Sequence, residues 1–140
     1  MAEGLLKKLL LENPIDEMAT GSAGLNALPG NPASFHAIRV AHENSIDLNE
    51  HRARLVTSEL ISAADLILVM EPGHRQTLLS RHLEASEKAV LLRQFARFGP
   101  RDRGINDPYG LNLEAYRFCF QDIRECVESL REWLLAPVQI

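Results

Sequence analysis

The chain has 140 residues, 46% apolar and 24% charged, with a formal net charge of −4. That size fits a single domain, residues 1–140, able to bury roughly two thirds of its unfolded surface, and the acidic balance lacks the basic patch that a nucleic-acid partner requires. No run reaches the ~20 apolar residues of a membrane-spanning helix and Met1-Ala2-Glu3 opens no basic-then-apolar leader, so the expectation is a cytoplasmic protein with no membrane partner.

Leu5, Leu6, Leu9 and Leu10 recur at helical spacing, which predicts a helix over residues 2–12, stopped by Asn13-Pro14. No Ser, Thr, Asp or Asn stands before Ala2 to cap it. Residues 17–23 are expected to form a short strand ending in Ser22-Ala23-Gly24. A loop through Pro29-Gly30-Asn31-Pro32 leads to a helix over 33–44, with Phe35, Ile38, Ala41 and His42 toward one side. A short link, Ile46-Asp47-Leu48, precedes a helix over 57–64 that Thr57 can cap.

Asp65-Leu66-Ile67-Leu68-Val69-Met70 is the strongest apolar, branched run, and it ends in Glu71-Pro72-Gly73. Being apolar on both faces, it reads as a buried strand of a parallel sheet. A helix over 73–83, a short strand over 89–92 and a loop over 94–111 follow. The last element is a helix over 112–135, where Leu113, Tyr116, Phe120, Ile123, Val127, Leu130 and Leu134 step by three and four. Alternating strands and helices predict an α/β sandwich: a parallel sheet flanked by helices.

Chemistry-bearing residues are sparse. Cys119 and Cys126 lie seven apart on the last predicted helix, ~10 Å at 1.5 Å per residue. That is beyond disulfide reach, and both border the apolar stripe as small hydrophobes do. His36, His42, His51, His74 and His82 have neither the spacing nor the Cys or acidic neighbours of a zinc site, so no metal and no cofactor is expected. His51 with Arg52 and Arg54 reads as an anion patch or as surface. Asp102 reads as a surface ion-pair residue beside Arg101 and Arg103. Asp107-Pro108-Tyr109-Gly110 favours a turn by itself, and Ser22 before Ala23-Gly24 is a turn residue by the same reading.

Several of these stretches, taken in order, resemble the low-molecular-weight protein tyrosine phosphatases, a group related in fold to arsenate reductases. Met1-Ala2-Glu3-Gly4-Leu5-Leu6 looks like that family's first helix. Ser22-Ala23-Gly24, His51-Arg52-Ala53-Arg54 with Thr57-Ser58-Glu59, the run Asp65 to Met70, and Asp107 to Gly110 match further family stretches. The resemblance implies a four-stranded parallel sheet and hydrolysis of phosphotyrosine through a phosphocysteine. It implies that Asp107 is the general acid protonating the leaving oxygen, that Pro108 fixes its loop, and that Tyr109 stacks on an aryl substrate or packs half-buried on the last helix. Ser22 would buttress the phosphate loop.

The resemblance also implies what is missing. The family's nucleophile and phosphate-gripping arginine share a Cys-x5-Arg loop, expected just ahead of Met1 together with the central first strand. Neither cysteine here fits, because Cys119 is followed six positions on by Glu125 and Cys126 by Glu132. Without a thiolate of lowered pKa and a guanidinium fork, negligible phosphatase activity is expected. The sheet should then have three strands, or be rearranged or completed by a homodimer. A methionine taken as start codon inside a longer gene is the simplest expected origin. The alternative function is a non-catalytic regulatory protein that binds a phosphotyrosine protein or an aryl phosphate.

Overall fold

The long stripe at the end of the chain becomes α5, Leu113–Leu135, in the computed structural model, which describes residues 1–12 and 18–136. Asn112 caps α5, its Oδ1 accepting from the Ala115 N–H at 3.0 Å. Tyr116, Cys119, Phe120, Ile123, Cys126, Val127 and Leu130 are buried along it, so the two thiols widen the apolar face. Each large apolar side chain buried there contributes about 1.5–3 kcal/mol relative to exposure.

Two helices pack on α5. The first, α1 (Ala2–Glu12), buries Leu5. Its Gly4 is pressed against the 46–48 link: a Cβ there would stand 2.8 Å from Ile46 Cγ2 and 3.0 Å from Leu48 Cδ2. The second, α2 (Phe35–Glu43), is capped by Ser34, whose Oγ accepts from the Ala37 N–H at 3.3 Å. Its buried residues are Val40 and Ala41. Phe35 and His42, expected on the inner face, are exposed, Phe35 by 75%. At 100° per residue Phe35 lies well over a right angle from both buried positions, and the helix turns it outward. Arg117 of α5 ties the two helices together, its Nη2 2.7 Å from Glu43 Oε2.

The opposite layer is smaller. Helix α3 (Ser58–Ala63) begins as expected at Thr57, whose Oγ1 accepts from the Leu60 N–H at 3.2 Å. Strand β1 (Ile67–Val69) leads into α4 (Pro72–Arg81), a 3-10 turn at Leu83–Ala85, strand β2 (Ala89–Leu91) and a second 3-10 turn at Leu92–Phe95. The strands pair in parallel with Ile67 opposite Ala89, Leu68 opposite Val90 and Val69 opposite Leu91. Leu66, Leu68 and Met70 pack toward α1 and α5, whereas Ile67 and Val69 pack toward Ile61 of α3 and Leu78 of α4. The fold is therefore a small parallel sheet flanked by helices.

The strand expected over residues 17–23 does not form among its described residues, and of the expected sheet forms the three-strand one is not the form observed. The sheet has two strands among the described residues, not three. Residues 18–23 form no strand and do not move inward to pair with β1, while Glu17 lies outside the described residues. Only Gly24 makes a bridge, in parallel with Leu55: its N–H donates to Arg54 O at 2.9 Å and its carbonyl accepts from Val56 N at 3.1 Å. An extended segment becomes a strand only beside a hydrogen-bonding neighbour, and 18–23 has none. Strand β1 is half-buried where full burial was expected, while Ala89 and Leu91 of β2 are buried.

Candidate active-site cleft

The carboxyl end of β1 is crossed by the loop that carries Asp107. Ile105 is buried and its N–H donates to Met70 O at 2.7 Å. Gly104 makes that crossing possible: a Cβ on it would meet Met70 O at 2.8 Å and Glu71 Cα at 2.9 Å. Beyond it, Asp107 Oδ1 accepts from the Tyr109 N–H at 2.9 Å, closing an Asx turn. Pro108 is buried, its carbonyl accepts from Leu111 N at 2.9 Å, and Gly110 takes φ +82°. The turn predicted for Asp107–Gly110 is thus fastened at each residue and leaves the Asp107 side chain exposed.

Between this loop and α5 lies a cleft of about 470 Å³, lined among others by Arg93, Arg103, Asp107, Pro108, Phe118 and Cys119. Arg93 stands 3.5 Å from Asp122 at its rim. Cys119 is 9% exposed. Burial pushes its thiol up to about 11; Asp122 adds to this, the Met1 amine opposes it, and Asp107 adds the least. Cys119 and Asp107 line the same cleft, so the Asp107 loop and the mid-section of α5 face each other there.

The other sequence-derived positions scatter. Tyr109 is 78% exposed, so it does not pack half-buried against α5. Ser22 is exposed and belongs to a different cluster: its Oγ donates to Glu3 Oε1 at 2.9 Å and its carbonyl accepts from Arg54 Nε at 2.9 Å. Lys7 donates to the other Glu3 oxygen at 3.1 Å, and His51 stands 3.9 Å from it. Burial pushes the Glu3 carboxyl up, but the Ser22 and Lys7 hydrogen bonds and the Lys7 and His51 charges outweigh it, holding the pKa below the usual carboxylate value. Asp102 makes no ion pair among the described residues, since Arg101 Nε donates instead to Ala96 O at 2.8 Å. Arg93, Phe118 and Asp122 were not anticipated. Phe118 and Asp122, with Ala115 and Cys119, follow helical spacing along one side of α5, a pattern readable only once that side is known to face the loop.

No group of three or more His, Cys, Asp or Glu able to hold a metal occurs among the described residues. Among them, too, no helix is long and apolar enough to cross a membrane.

A parallel α/β layer with a carboxylate-bearing loop folded over the carboxyl end of its strand puts a candidate site where proteins of the open α/β class bind their ligands. The family profile for low molecular weight phosphotyrosine protein phosphatase matches residues 1–139, and the chain belongs to that family. It is 34% identical over 124 residues to EpsP of Ralstonia nicotianae, described as a probable low molecular weight protein-tyrosine-phosphatase, covering 89% of this chain and 82% of the relative. A protein-arginine-phosphatase of Geobacillus stearothermophilus is 34% identical over 126 residues, covering 89% and 83%. Among solved structures, Wzb of Vibrio vulnificus in complex with benzylphosphonate superposes with a TM-score of 0.82 at 36% identity, covering 94% of this chain and 87% of that one. The YwlE arginine phosphatase of Geobacillus stearothermophilus does so with a TM-score of 0.85 at 32% identity, covering 95% and 82%.

The family is one of hydrolases. These 140 residues nevertheless contain no Cys-x5-Arg. Burial pushes both thiols present, Cys119 and Cys126, up to about 11, the reverse of what a nucleophile needs. These 140 residues therefore carry no group that matches the family's nucleophile motif, and negligible turnover by them alone is the expectation.

Proposed function

We propose that this chain is a phosphatase scaffold, a single domain over residues 1–140, without the nucleophile loop, whose Asp107 cleft keeps the binding half of the family's chemistry. The observation that carries the reading is the fastened Asp107 turn facing a cleft that also presents Arg93 and Arg103. In this reading Asp107 is the vestige of the general acid, Pro108 anchors its loop, and Tyr109 is an exposed ring ready to stack on an aryl group. Ser22, tied to the first turn of α1 through Glu3, holds the place where a phosphate loop would be buttressed. The ligand class is a phosphotyrosine protein or an aryl phosphate, bound without turnover, and the setting is cytoplasmic. Kinship with the arsenate reductases is part of the same proposal and extends to fold alone.

The test is a titration of the isotope-labelled chain with phenylphosphonate, followed by amide NMR. Saturable shifts at Asp107, Tyr109 and the Ala2–Leu5 amides, with a dissociation constant of millimolar or below, support the reading. Amides that stay in place throughout the titration overturn it. Homodimerisation across the open sheet is the rival arrangement, and it requires a mass that rises with concentration in sedimentation.

A further inference from the structure

A second cavity, of about 350 Å³, lies along β2 and shares no lining residue with the Asp107 cleft. Its size is at the small end of ligand sites, which run from about 300 to 1,000 Å³. Val90 and Leu91 of β2 give it an apolar lining. Its polar lining comes from three other places: Arg75 and Gln76 of α4, Gln94 of the 3-10 turn after β2, and Asp102 of the loop beyond.

The strand pairing explains where Arg75 sits. Ile67 N–H donates to Lys88 O at 3.0 Å, and in a parallel ladder alternate residues bond to one neighbour. Ala89 therefore turns its carbonyl away from β1, and Arg75 takes it, Nε donating at 2.8 Å. Nη2 of the same guanidinium donates to Ser86 O at 3.3 Å. Two backbone carbonyls thus fasten a half-buried cation beside the cavity and leave its Nη1 without a partner among the described residues.

Neither Arg75 nor the exposed Asp102 has an ion pair among the described residues. They line one cavity and still do not pair with each other. Arg75 could swing toward Asp102 only by giving up both carbonyls, and one of them, Ala89 O, belongs to a buried residue. The cavity therefore presents a fixed positive charge and a separate negative charge, with the uncommitted amides of Gln76 and Gln94 at its margin.

We propose that this cavity binds a small zwitterion of the amino-acid class, its carboxylate on the Arg75 fork and its ammonium on Asp102. A ligand that carries both charges answers both groups. A simple anion answers Arg75 but is repelled by Asp102, and a simple cation meets the reverse. The two Gln amides, each donor and acceptor, serve either end of the ligand, and Val90 and Leu91 favour an apolar carbon skeleton between the charges. The guanidinium is in place before the ligand arrives, so little of its freedom is lost on binding. An added β-strand does not fit this edge, because Ala89 O, which it would need, is already taken.

The experiment is NMR of the isotope-labelled 140-residue chain, titrated with L-alanine, whose charges are close together, and with 5-aminopentanoate, whose charges are far apart. Each is compared with its singly charged analogues: propanoate and ethylammonium for the first, pentanoate and butylammonium for the second. Saturable shifts of the Val90 and Leu91 amides and of the Gln76 and Gln94 side-chain amides are expected with at least one zwitterion, at an affinity about tenfold or more above both of its analogues. Asp102→Asn, a change at an exposed side chain, should bring that zwitterion down to the affinity of its anionic analogue and leave the rest of the ligand-free spectrum in place. No saturable shift with either zwitterion, equal affinity for a zwitterion and its anionic analogue, or an Asp102→Asn variant that binds as well as the parent chain would each overturn the proposal. The reporting residues are absent from the Asp107 cleft, so this reading and that one can fail separately.

Discussion

Cys119 and Cys126 show how position on a helix decides what a residue can do. Both are buried and free, with thiols pushed up to about 11, so at neutral pH almost none of either is thiolate. Native chain treated with iodoacetamide at pH 7 should therefore remain unmodified for hours, while unfolded chain should take two labels. Rapid native labelling would contradict the burial. The linkage has a definite sign. The folded state favours the neutral thiols, so their contribution is intact below the unfolded value near 8.5 and is lost as pH rises toward 11. Denaturant midpoints should fall over that interval, and replacing both cysteines with alanine should remove that part of the slope.

Glu3 has the opposite sign. Its carboxyl is held low, so its contribution is present above the unfolded carboxylate value and is lost as pH falls through the folded one. Ser22→Ala removes one hydrogen bond and should move the Glu3 titration upward by NMR, with a stability loss under about 1 kcal/mol because the cluster is partly exposed. An unmoved titration would show that Ser22 is a turn residue only. Of the four candidate site residues, Asp107 and Pro108 were legible because Asp-Pro and Tyr-Gly write a turn into the backbone. The company that Asp107 keeps was not: Arg93 and Asp122 reach the cleft from elements far apart in sequence, and local pattern carries no record of that.

At the scale of elements, helices were legible where apolar periodicity was strong, and of their caps only Thr57 was read beforehand. Asn112, Thr57 and Ser34 each cap as their side-chain chemistry favours. Asn112→Ala should cost about 1 kcal/mol, and Phe120→Ala, which empties a site that is 2% exposed, about 3–5 kcal/mol. Chemical denaturation checks both, and a reversed order would mean that α5 is not the packing spine. Strands were less legible, since 18–23 carries only a weak strand signal and even the strand-like run 65–70 needs neighbours to become a strand. The run from Leu66 to Met70 keeps three paired residues because β2 is present on one side, and 18–23 keeps none.

For the molecule as a whole, the family architecture is present with a two-stranded parallel sheet among the described residues. The chain superposes over 94% of its length on a solved relative. Recognition of the family from the residues was possible because its matching stretches run from α1 to the Asp107 loop. What could not be read was the width of the sheet, because strand pairing joins residues far apart in sequence.

Negligible turnover is expected of these 140 residues because they contain no Cys-x5-Arg and both thiols present are buried with raised pKa values. The direct measurement is turnover of p-nitrophenyl phosphate by the purified 140-residue chain between pH 5 and 7, with intact mass recorded after acid quench. The expected result is hydrolysis at the rate of the buffer and an unchanged mass. Turnover near ~1 s⁻¹, the scale of ordinary enzymes, or a phosphoryl adduct on Cys119 or Cys126, would contradict it.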